Sequence, residues 1–370
     1  MTFVTQEFFP KIGGAATVVG EMACALERLG KSVRVLAPGE AQESDSRFRF
    51  EVERSGTRGK QDWLDRIALL RTLKRRAAEG EEWVFSDPGA VRAALYARWF
   101  GIRFRNPPVI ILHGTDILRF TSFPHRRFLL RKLIGQCRCV HVLSEYNRNL
   151  LSAKLPHLSV PVVTAPGAPS KMPAVRPIAS GTDKAISILT VGRIHPRKGQ
   201  LETLEALSRL PVAEQRQIRY RIVGPSVRPR YRKKILQLAS RCPFPVEMVG
   251  PLNEKDLDEE YRSADIFAMT SRQDRLSVEG FGLVYIDASA YGLPIVATRS
   301  GGVPEAVLDQ KTGLLADEGH IDEISENFLA LIRSPDLRKE LGRRGREFAS
   351  GLSWNETAER VFSAPCPGNP

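Results

Sequence analysis

This chain of 370 residues has no apolar run near the roughly 18 residues that a membrane-spanning helix needs, and no charged leader followed by an apolar signal core. The pattern predicts a protein that stays in the cytoplasm. Cysteine is scarce: Cys24, Cys137, Cys139, Cys242 and Cys366 are odd in number and scattered, which gives no disulfide framework and suits a reducing compartment. Cys137 and Cys139 stand too far from other ligands to suggest zinc. Aromatic residues make up 8% of the chain and form neither interleaved platforms nor a reader motif, so nucleic-acid binding is the weaker reading of a basic protein. No metal-holding carboxylate cluster of the Asp-x-Asp type is expected, and the only biased tract is the proline-containing tail after Ser363.

What is present is a folded α/β pattern. With 42% hydrophobic residues and strand and helix signals alternating throughout, the length predicts two domains with parallel sheets. Strands are expected at 2–5, 32–37, 83–86, 109–113 and 139–144 in the first half. In the second half they fall at 186–191, 220–223, 246–248, 266–269 and 294–297. Helical patterns lie between them, at 16–29, 62–78, 200–210, 230–240, 254–262 and 282–291. Residues 161–180 hold five prolines and no helical period, and read as a linker. The formal charge of +13 is lopsided: residues 1–171 carry 27 Lys/Arg against 16 Asp/Glu, so the first half holds most of the positive field. Such a field draws nucleic acid, anionic lipid or phosphorylated substrates. Its clusters are 71–76, which reads as a solvated helix face, and 119–132, which mixes Phe120, Phe123, Phe128 and Leu130 with Arg126, Arg127, Arg131 and Lys132. The second is either a surface helix or a helix lying on an anionic membrane.

Two Rossmann-like domains would bind a ligand beyond the carboxyl ends of their strands. After the first strand comes a glycine pair, Gly13-Gly14, suited to close approach by a phosphate or sugar. After the strand ending at Val191 comes Gly192-Arg193-Ile194-His195-Pro196-Arg197-Lys198-Gly199, where Arg193 and Lys198 can neutralise a diphosphate. The segment from Glu279 to Asp287 sets two carboxylates with seven residues between them, Gly280 and Gly282 included, and an apolar run behind them. Read as one helix, it places Glu279 at the helix entrance and Asp287 about 12 Å deeper, roughly 80° around the axis. That spacing exceeds the ~5–9.5 Å of a glycosidase acid pair, so the two acids read as groups that hold the two ends of one ligand. His113 follows an apolar strand in Leu112-His113-Gly114-Thr115-Asp116. Asp116 is expected to orient that loop or bind acceptor, Glu145 is a further site candidate, and Glu305 reads as a helix cap or brace.

Glu279 to Asp287, Val191 to Gly199, Gly13-Gly14 and Ser300-Gly301-Gly302-Val303-Pro304-Glu305 together resemble a retaining glycosyltransferase of family 4, of the GT-B fold, over nearly the whole chain. Val278 to Tyr285 and Pro196 to Gln200 resemble most the phosphatidylinositol-mannoside mannosyltransferases that use GDP-mannose. The resemblance implies two Rossmann-like domains facing each other across a cleft: residues 1–170 for the acceptor, 171–352 for the nucleotide-sugar, and 353–370 as a helix and tail crossing back to the first. It implies that Arg193 and Lys198 hold the donor diphosphate and that Glu279 meets the sugar hydroxyls. The amides of Phe281, Gly282 and Leu283 would meet sugar and phosphate, and Gly13 and Gly14 the donor from the first domain. Asp287 would take the ribose, where the family usually has Glu, and His113 would contact the transferred sugar.

Residues 165–169, Ala-Pro-Gly-Ala-Pro, depart from the family by lacking an Asp after the glycine. Ser353 with Glu356 is expected to form a capping box for the last helix. The implied reaction moves a hexose, mannose by the nearest resemblance, from a GDP- or UDP-linked donor to a hydroxyl of a lipid-linked or cell-envelope glycan, lipopolysaccharide included. The basic first half would rest on an anionic membrane surface, with no cofactor, no metal and no nucleic acid. A soluble or phosphorylated acceptor is the alternative. An epimerase lacks its catalytic pairing here and a glycan phosphorylase its pyridoxal-lysine context.

Overall fold

A computed structural model of the chain describes residues 1–10, 13–56, 63–77, 80–174 and 185–364, and divides them into two units. Unit 1 spans Met1–Gly167 together with the residues from Ser353; unit 2 spans Ala168–Leu352. The end of the expected linker, residues 175–180, and residues 365–370 of the tail with Cys366 lie outside the described residues.

Unit 1 is a parallel sheet of seven strands: β1 Thr2–Val4, β2 Arg34–Ala37, β3 Glu51–Arg54, β4 Trp83–Phe85, β5 Val109–Leu112, β6 Cys139–Val142 and β7 Val162–Thr164. They lie in the order β3-β2-β1-β4-β5-β6-β7. Unit 2 is a parallel sheet of six: β8 Ile186–Val191, β9 Ile218–Val223, β10 Val246–Gly250, β11 Ile266–Met269, β12 Ile295–Thr298 and β13 Gly313–Ala316, in the order β10-β9-β8-β11-β12-β13. The apolar central strands, such as Val-Ile-Ile-Leu in β5 and Ile-Phe-Ala-Met in β11, are buried along their length because helices cover both faces of a parallel sheet. Each unit has its own core, one around Trp83, Phe85, Ile110 and Val140, the other around Tyr220, Ile222, Ile266 and Phe328.

In both sheets the chain order reverses once in the middle, between β1 and β4 and between β8 and β11. The loops leaving the carboxyl ends of neighbouring strands part there, and a crevice opens that is the usual binding place of such sheets. In unit 1 its wall is organised by Asp87, only 1% exposed. One carboxylate oxygen accepts from the Thr5 hydroxyl at 2.7 Å and from the Gln6 amide, and the other from the amides of Gly89 and Ala90 at 2.7 and 2.9 Å. A single side chain thus caps helix Pro88–Trp99, which has proline in its first turn, and ties down the chain leaving β1.

Residues from Ser353 onward cluster with unit 1, where helix Trp354–Phe362 packs on helix Gly14–Arg28. Thr357 Oγ1 donates to Pro166 O at 2.6 Å, and the Phe362 ring meets the Phe3 ring edge-on at 6.2 Å. Ser353 is the N-cap residue, yet its side chain makes no capping bond, so the expected capping box does not form. Its backbone carbonyl instead accepts the Thr357 amide at 3.0 Å, and packing secures the helix. Three strands escape the sequence pattern: β3, β7 and β13. The second of them occupies part of the expected linker, pairing with β6 through Val162, Val163 and Thr164. In the 71–76 cluster Arg76 is not solvated; it is buried and bonded to Glu53 and Glu81.

Replacing Asp87 by alanine removes a helix cap and strands two buried donors, and should cost about 3 kcal/mol of stability. The check is the urea midpoint of unfolding; a loss below about 1 kcal/mol would sink the organising role given to Asp87.

Candidate active site

The crevice of unit 2 is built by two loops, 192–199 after β8 and 270–282 after β11. The first turns sharply through the 3-10 segment Pro196–Lys198 and closes on Gly199 at φ = +70°. A Cβ at Gly199 would lie 1.8 Å from Thr270 O, so glycine is obligatory where the loops touch. Thr270 Oγ1 fastens the contact by donating to Gly199 O at 2.8 Å. Buried Gln200 braces the turn from beneath, its Nε2 donating to Arg193 O at 3.0 Å. His195 Nδ1 accepts the Arg197 amide at 3.1 Å, and burial, followed by Arg197, Arg228 and Arg193, lowers the proton affinity of its ring.

These restraints aim two cations at one carboxylate. Glu279, 9% exposed, accepts from Arg197 Nη1 at 2.6 Å and from Lys198 Nζ at 2.7 Å, both on Oε2. Burial alone would push its carboxyl up, but the two cations outweigh it and hold the group down at about 2. For Lys198 burial prevails: despite Glu279, desolvation and the neighbouring guanidinium groups bring the ammonium down to about 8. Arg193 is exposed beside them. The backbone of Glu279 is cradled by the Ser300-Gly301-Gly302 turn: Gly302 N donates to Glu279 O at 2.9 Å, and a Cβ on Gly301, at φ = +58°, would approach the same oxygen to 2.3 Å. That glycine pair serves the carboxylate's position.

Glu279 is not at a helix entrance. The helix runs Leu283–Ala290 with Gly282 as N-cap at φ = +90°, so Glu279 lies three residues outside it, and the distance and angle expected from a continuous helix do not apply. The reason is steric. Gly282 adopts a left-handed conformation that ends the preceding loop, and a Cβ there would strike the Tyr285 ring at 2.5 Å. Tyr285 locks the helix to the sheet, its hydroxyl donating to Met269 O at 2.7 Å. The Phe281 side chain is buried, so its backbone is what remains to meet a ligand. Leu283 opens the helix, whose first amides carry the partial positive charge of a helix start.

Asp287 is the fifth residue of that helix, half-buried, and its Oδ1 accepts the amide of Ser170 at 2.9 Å. Next to it Lys171 pairs with Asp258 at 2.6 Å. Burial pushes the Asp287 carboxyl up to about 6 in spite of the Ser170 contact. An Asp-x-Asp triplet does occur in the chain, at Asp256-Leu257-Asp258, but it lies on helix Glu254–Ser263 with Asp258 bound to Lys171, Arg262 and Tyr291.

In unit 1, His113 Nε2 donates to Ser86 O at 2.7 Å, next to Asp87, leaving Nδ1 as an acceptor. The buried Asp116 accepts the His113 amide at 3.1 Å, so it orients the loop. Gly13 is the N-cap of helix Gly14–Arg28, and a Cβ there would meet Glu7 Oε1 at 1.9 Å; a Cβ on exposed Gly14 would meet nothing within 4 Å. Glu145 begins helix Glu145–Lys154 next to Arg148 at 3.5 Å, and Glu305 lies inside the short helix Val303–Ala306. Within unit 2, then, Lys198 and Glu279 meet directly, with Arg193 on the same loop as Lys198. Arg197, which the sequence reading passed over as a ligand group, is equally engaged; its only signal was its place between Pro196 and Lys198.

Residues 12–166 match glycosyltransferase family 4, and residues 176–348 match the group 1 glycosyl transferases. A GDP-mannose-dependent monoacylated alpha-(1-6)-phosphatidylinositol monomannoside mannosyltransferase of Corynebacterium glutamicum is 31% identical over 97% of this chain and 95% of its own. The chain belongs to glycosyltransferase family 4. A GDP-mannose-dependent alpha-(1-6)-phosphatidylinositol monomannoside mannosyltransferase of Mycolicibacterium smegmatis is 30% identical over 98% and 97% of the two chains. Anabaena HepE, solved with UDP and glucose, superposes with a TM-score of 0.78 at 19% identity, covering 98% of each chain. This glycosyltransferase is therefore a hexosyltransferase of the GT-B fold, with two Rossmann-like domains.

The pH dependence of Asp287 follows from its direction of shift. A carboxyl raised to about 6 contributes stability that is complete below its unfolded value near 4 and is lost as pH rises through 6. At pH 7 the buried charge should cost about 2 kcal/mol after allowing for partial exposure. Asp287→Asn should therefore raise the melting temperature at pH 7 and leave it nearly unchanged at pH 4; an equal change at both pH values would contradict the assignment.

Proposed function

We propose that this glycosyltransferase moves mannose from GDP-mannose to a hydroxyl of a lipid-linked or cell-envelope glycan acceptor at the cytoplasmic face of a membrane, with retention at the anomeric carbon and no metal requirement. The observation that carries the donor class is the pairing of Arg197 and Lys198 with one buried carboxylate, Arg193 being exposed on the same loop: three cations and one Glu leave a formal charge of +2, which matches the two negative charges of a sugar-nucleoside diphosphate. The mannosyltransferase relatives, whose names print both GDP-mannose and a phosphatidylinositol-linked acceptor, support the finer reading.

Chemically, the acceptor oxygen forms its bond to the anomeric carbon as the bond from that carbon to the diphosphate breaks. The diphosphate departs with an additional negative charge and takes the acceptor proton. Arg193, Arg197 and Lys198 stabilise that developing charge together with the helix start at Leu283, which is the role a metal plays in other sites. Glu279, once its cations turn to the diphosphate, has a carboxylate ready for sugar hydroxyls. Asp287 is proposed for the ribose, Gly13 and Gly14 for donor contact from unit 1, and His113 for the transferred sugar.

Lys198→Ala should lower turnover by about two orders of magnitude with melting behaviour retained, as loss of one charge-stabilising donor does elsewhere. Near-normal turnover would remove the leaving-group role. A thermal-shift panel of GDP-, UDP- and ADP-sugars, with and without EDTA, reads the donor: GDP-mannose should stabilise most, by mass action, and EDTA should change nothing. Because Lys198 must be charged to bind and sits at about 8 in the free protein, donor affinity should fall as pH rises above 8, by at most tenfold per unit. A flat profile from pH 7 to 10 would contradict that linkage.

A further inference from the structure

Unit 1 carries a face that the transfer chemistry does not use. Helix Pro88–Trp99 ends in Trp99 and Phe100, 75% and 68% exposed, and the neighbouring helix Pro124–Ile134 presents Phe128 at 54% with Phe123 just before it at 50%. Single exposed aromatics are ordinary, but four of them on two adjoining helices make a patch. Between the helices lies a groove of about 750 Å³ floored by Leu95, Ile102 and Leu133 and edged by Trp99 and Phe128. Arg98, Arg103 and Lys132 line the same groove. The Lys132 ammonium stands over the Phe128 ring at 4.5 Å, and the Arg126 guanidinium over the Phe123 ring at 4.9 Å, so charge and apolar surface are interleaved.

The charge is one-sided. From Pro88 to Ser144 the chain has ten Lys or Arg and a single acid, Asp116, which is buried. Such a face repels cations and offers little to a neutral protein surface. It also differs from a nucleic-acid site, where aromatics form platforms on which bases stack, because here Trp99 and Phe128 edge a groove floored by aliphatic side chains. Amphipathic aromatics beside lysine and arginine match the boundary between headgroups and acyl chains, where the rings sit among the upper methylenes and the cations meet lipid phosphates.

We infer that the face formed by Tyr96–Arg103 and Phe123–Lys132 docks unit 1 onto a bilayer of anionic phospholipid, with Trp99, Phe100 and Phe128 inserted below the headgroups and an acyl chain lying in the groove between the two helices. The inference takes its purpose from the lipid-linked acceptor proposed above, but its test needs neither donor nor acceptor, so either reading can fail alone.

The test is binding of the full chain to vesicles of phosphatidylcholine with 30% phosphatidylglycerol, against pure phosphatidylcholine and against duplex DNA, at physiological salt. Binding is expected on the anionic vesicles and at least tenfold weaker on the other two. Phosphatidylglycerol brominated near the headgroup should quench tryptophan emission, and Trp99→Phe should bind as well as the parent while losing that quenching. Phe100→Ser with Phe128→Ser should weaken vesicle binding at least tenfold, and Arg103→Glu with Lys132→Glu likewise. The altered side chains are at the surface, so both variants should retain the parent melting temperature. Equal binding to neutral vesicles, quenching that survives Trp99→Phe, or a preference for DNA would each overturn the inference.

Discussion

The ion triad of Glu279 with Arg197 and Lys198 is the constraint on which unit 2 depends. Two charges of one sign and one of the other are withdrawn from water, and each would be expensive alone. The loops that bring them together are therefore shaped without slack: Gly199 against Thr270, Gly301 against the Glu279 backbone and Gly282 against Tyr285 are three places where a single carbon would collide. Those glycines are spread over a hundred residues of sequence and serve one contact. The arrangement is also poised. The carboxylate that stabilises the cations is one that an incoming anion can replace, so the site is held in shape before ligand arrives by a charge that the ligand displaces.

The positions of the central strands were legible because a short buried apolar run bounded by turn residues has few other readings, although the buried edge strand β13, Gly-Leu-Leu-Ala, was missed. Two further edge strands were illegible. Glu-Val-Glu-Arg in β3 lies at a sheet edge with its charges held in ion pairs to Arg34, Arg76 and Asp45 and shows no apolar run, and Val-Val-Thr in β7 is too short to stand out after Pro161. Edge strands are recognised by their neighbours' hydrogen bonds, which a sequence does not display. The error at Glu279 has a different cause. Periodicity extends a helix back through glycines because it measures polarity; φ = +90° at Gly282 stops it, and that is a backbone property. At Ser353 the pattern for a capping box was present while packing against helix Gly14–Arg28 had already secured the helix, so the weaker interaction was not needed.

Asp287 shows how a departure from a family pattern is read physically. The resemblance assigns this position to ribose and favours Glu; the shorter side chain here lies within reach of the Ser170 amide and holds it. One hydrogen bond does not repay the burial of a carboxylate, which is why its proton affinity rises. A group kept at a cost to stability belongs more naturally to binding than to folding. Its tie to Ser170 and the adjacent Lys171–Asp258 pair would then keep the first residues of unit 2 in register with the helix that carries it.

Net charge by halves, in contrast, did not locate the cation cluster of unit 2. The first half carries nearly all the formal excess, which suggests that an anionic ligand meets it there. Yet the crevice of unit 1 is edged by Asp87, Asp116 and neutral hydrogen bonds, while its cations lie along the helices at 88–99 and 124–134. Unit 2 is close to neutral as a whole and concentrates Arg193, Arg197 and Lys198 at the carboxyl end of a single strand. A field summed over a domain governs how a molecule approaches a charged surface; cations gathered on one short loop act at short range on a single bound group. The two anionic partners proposed for this chain, a lipid surface and a nucleotide-linked sugar, would thereby be separated by the range over which each interaction acts.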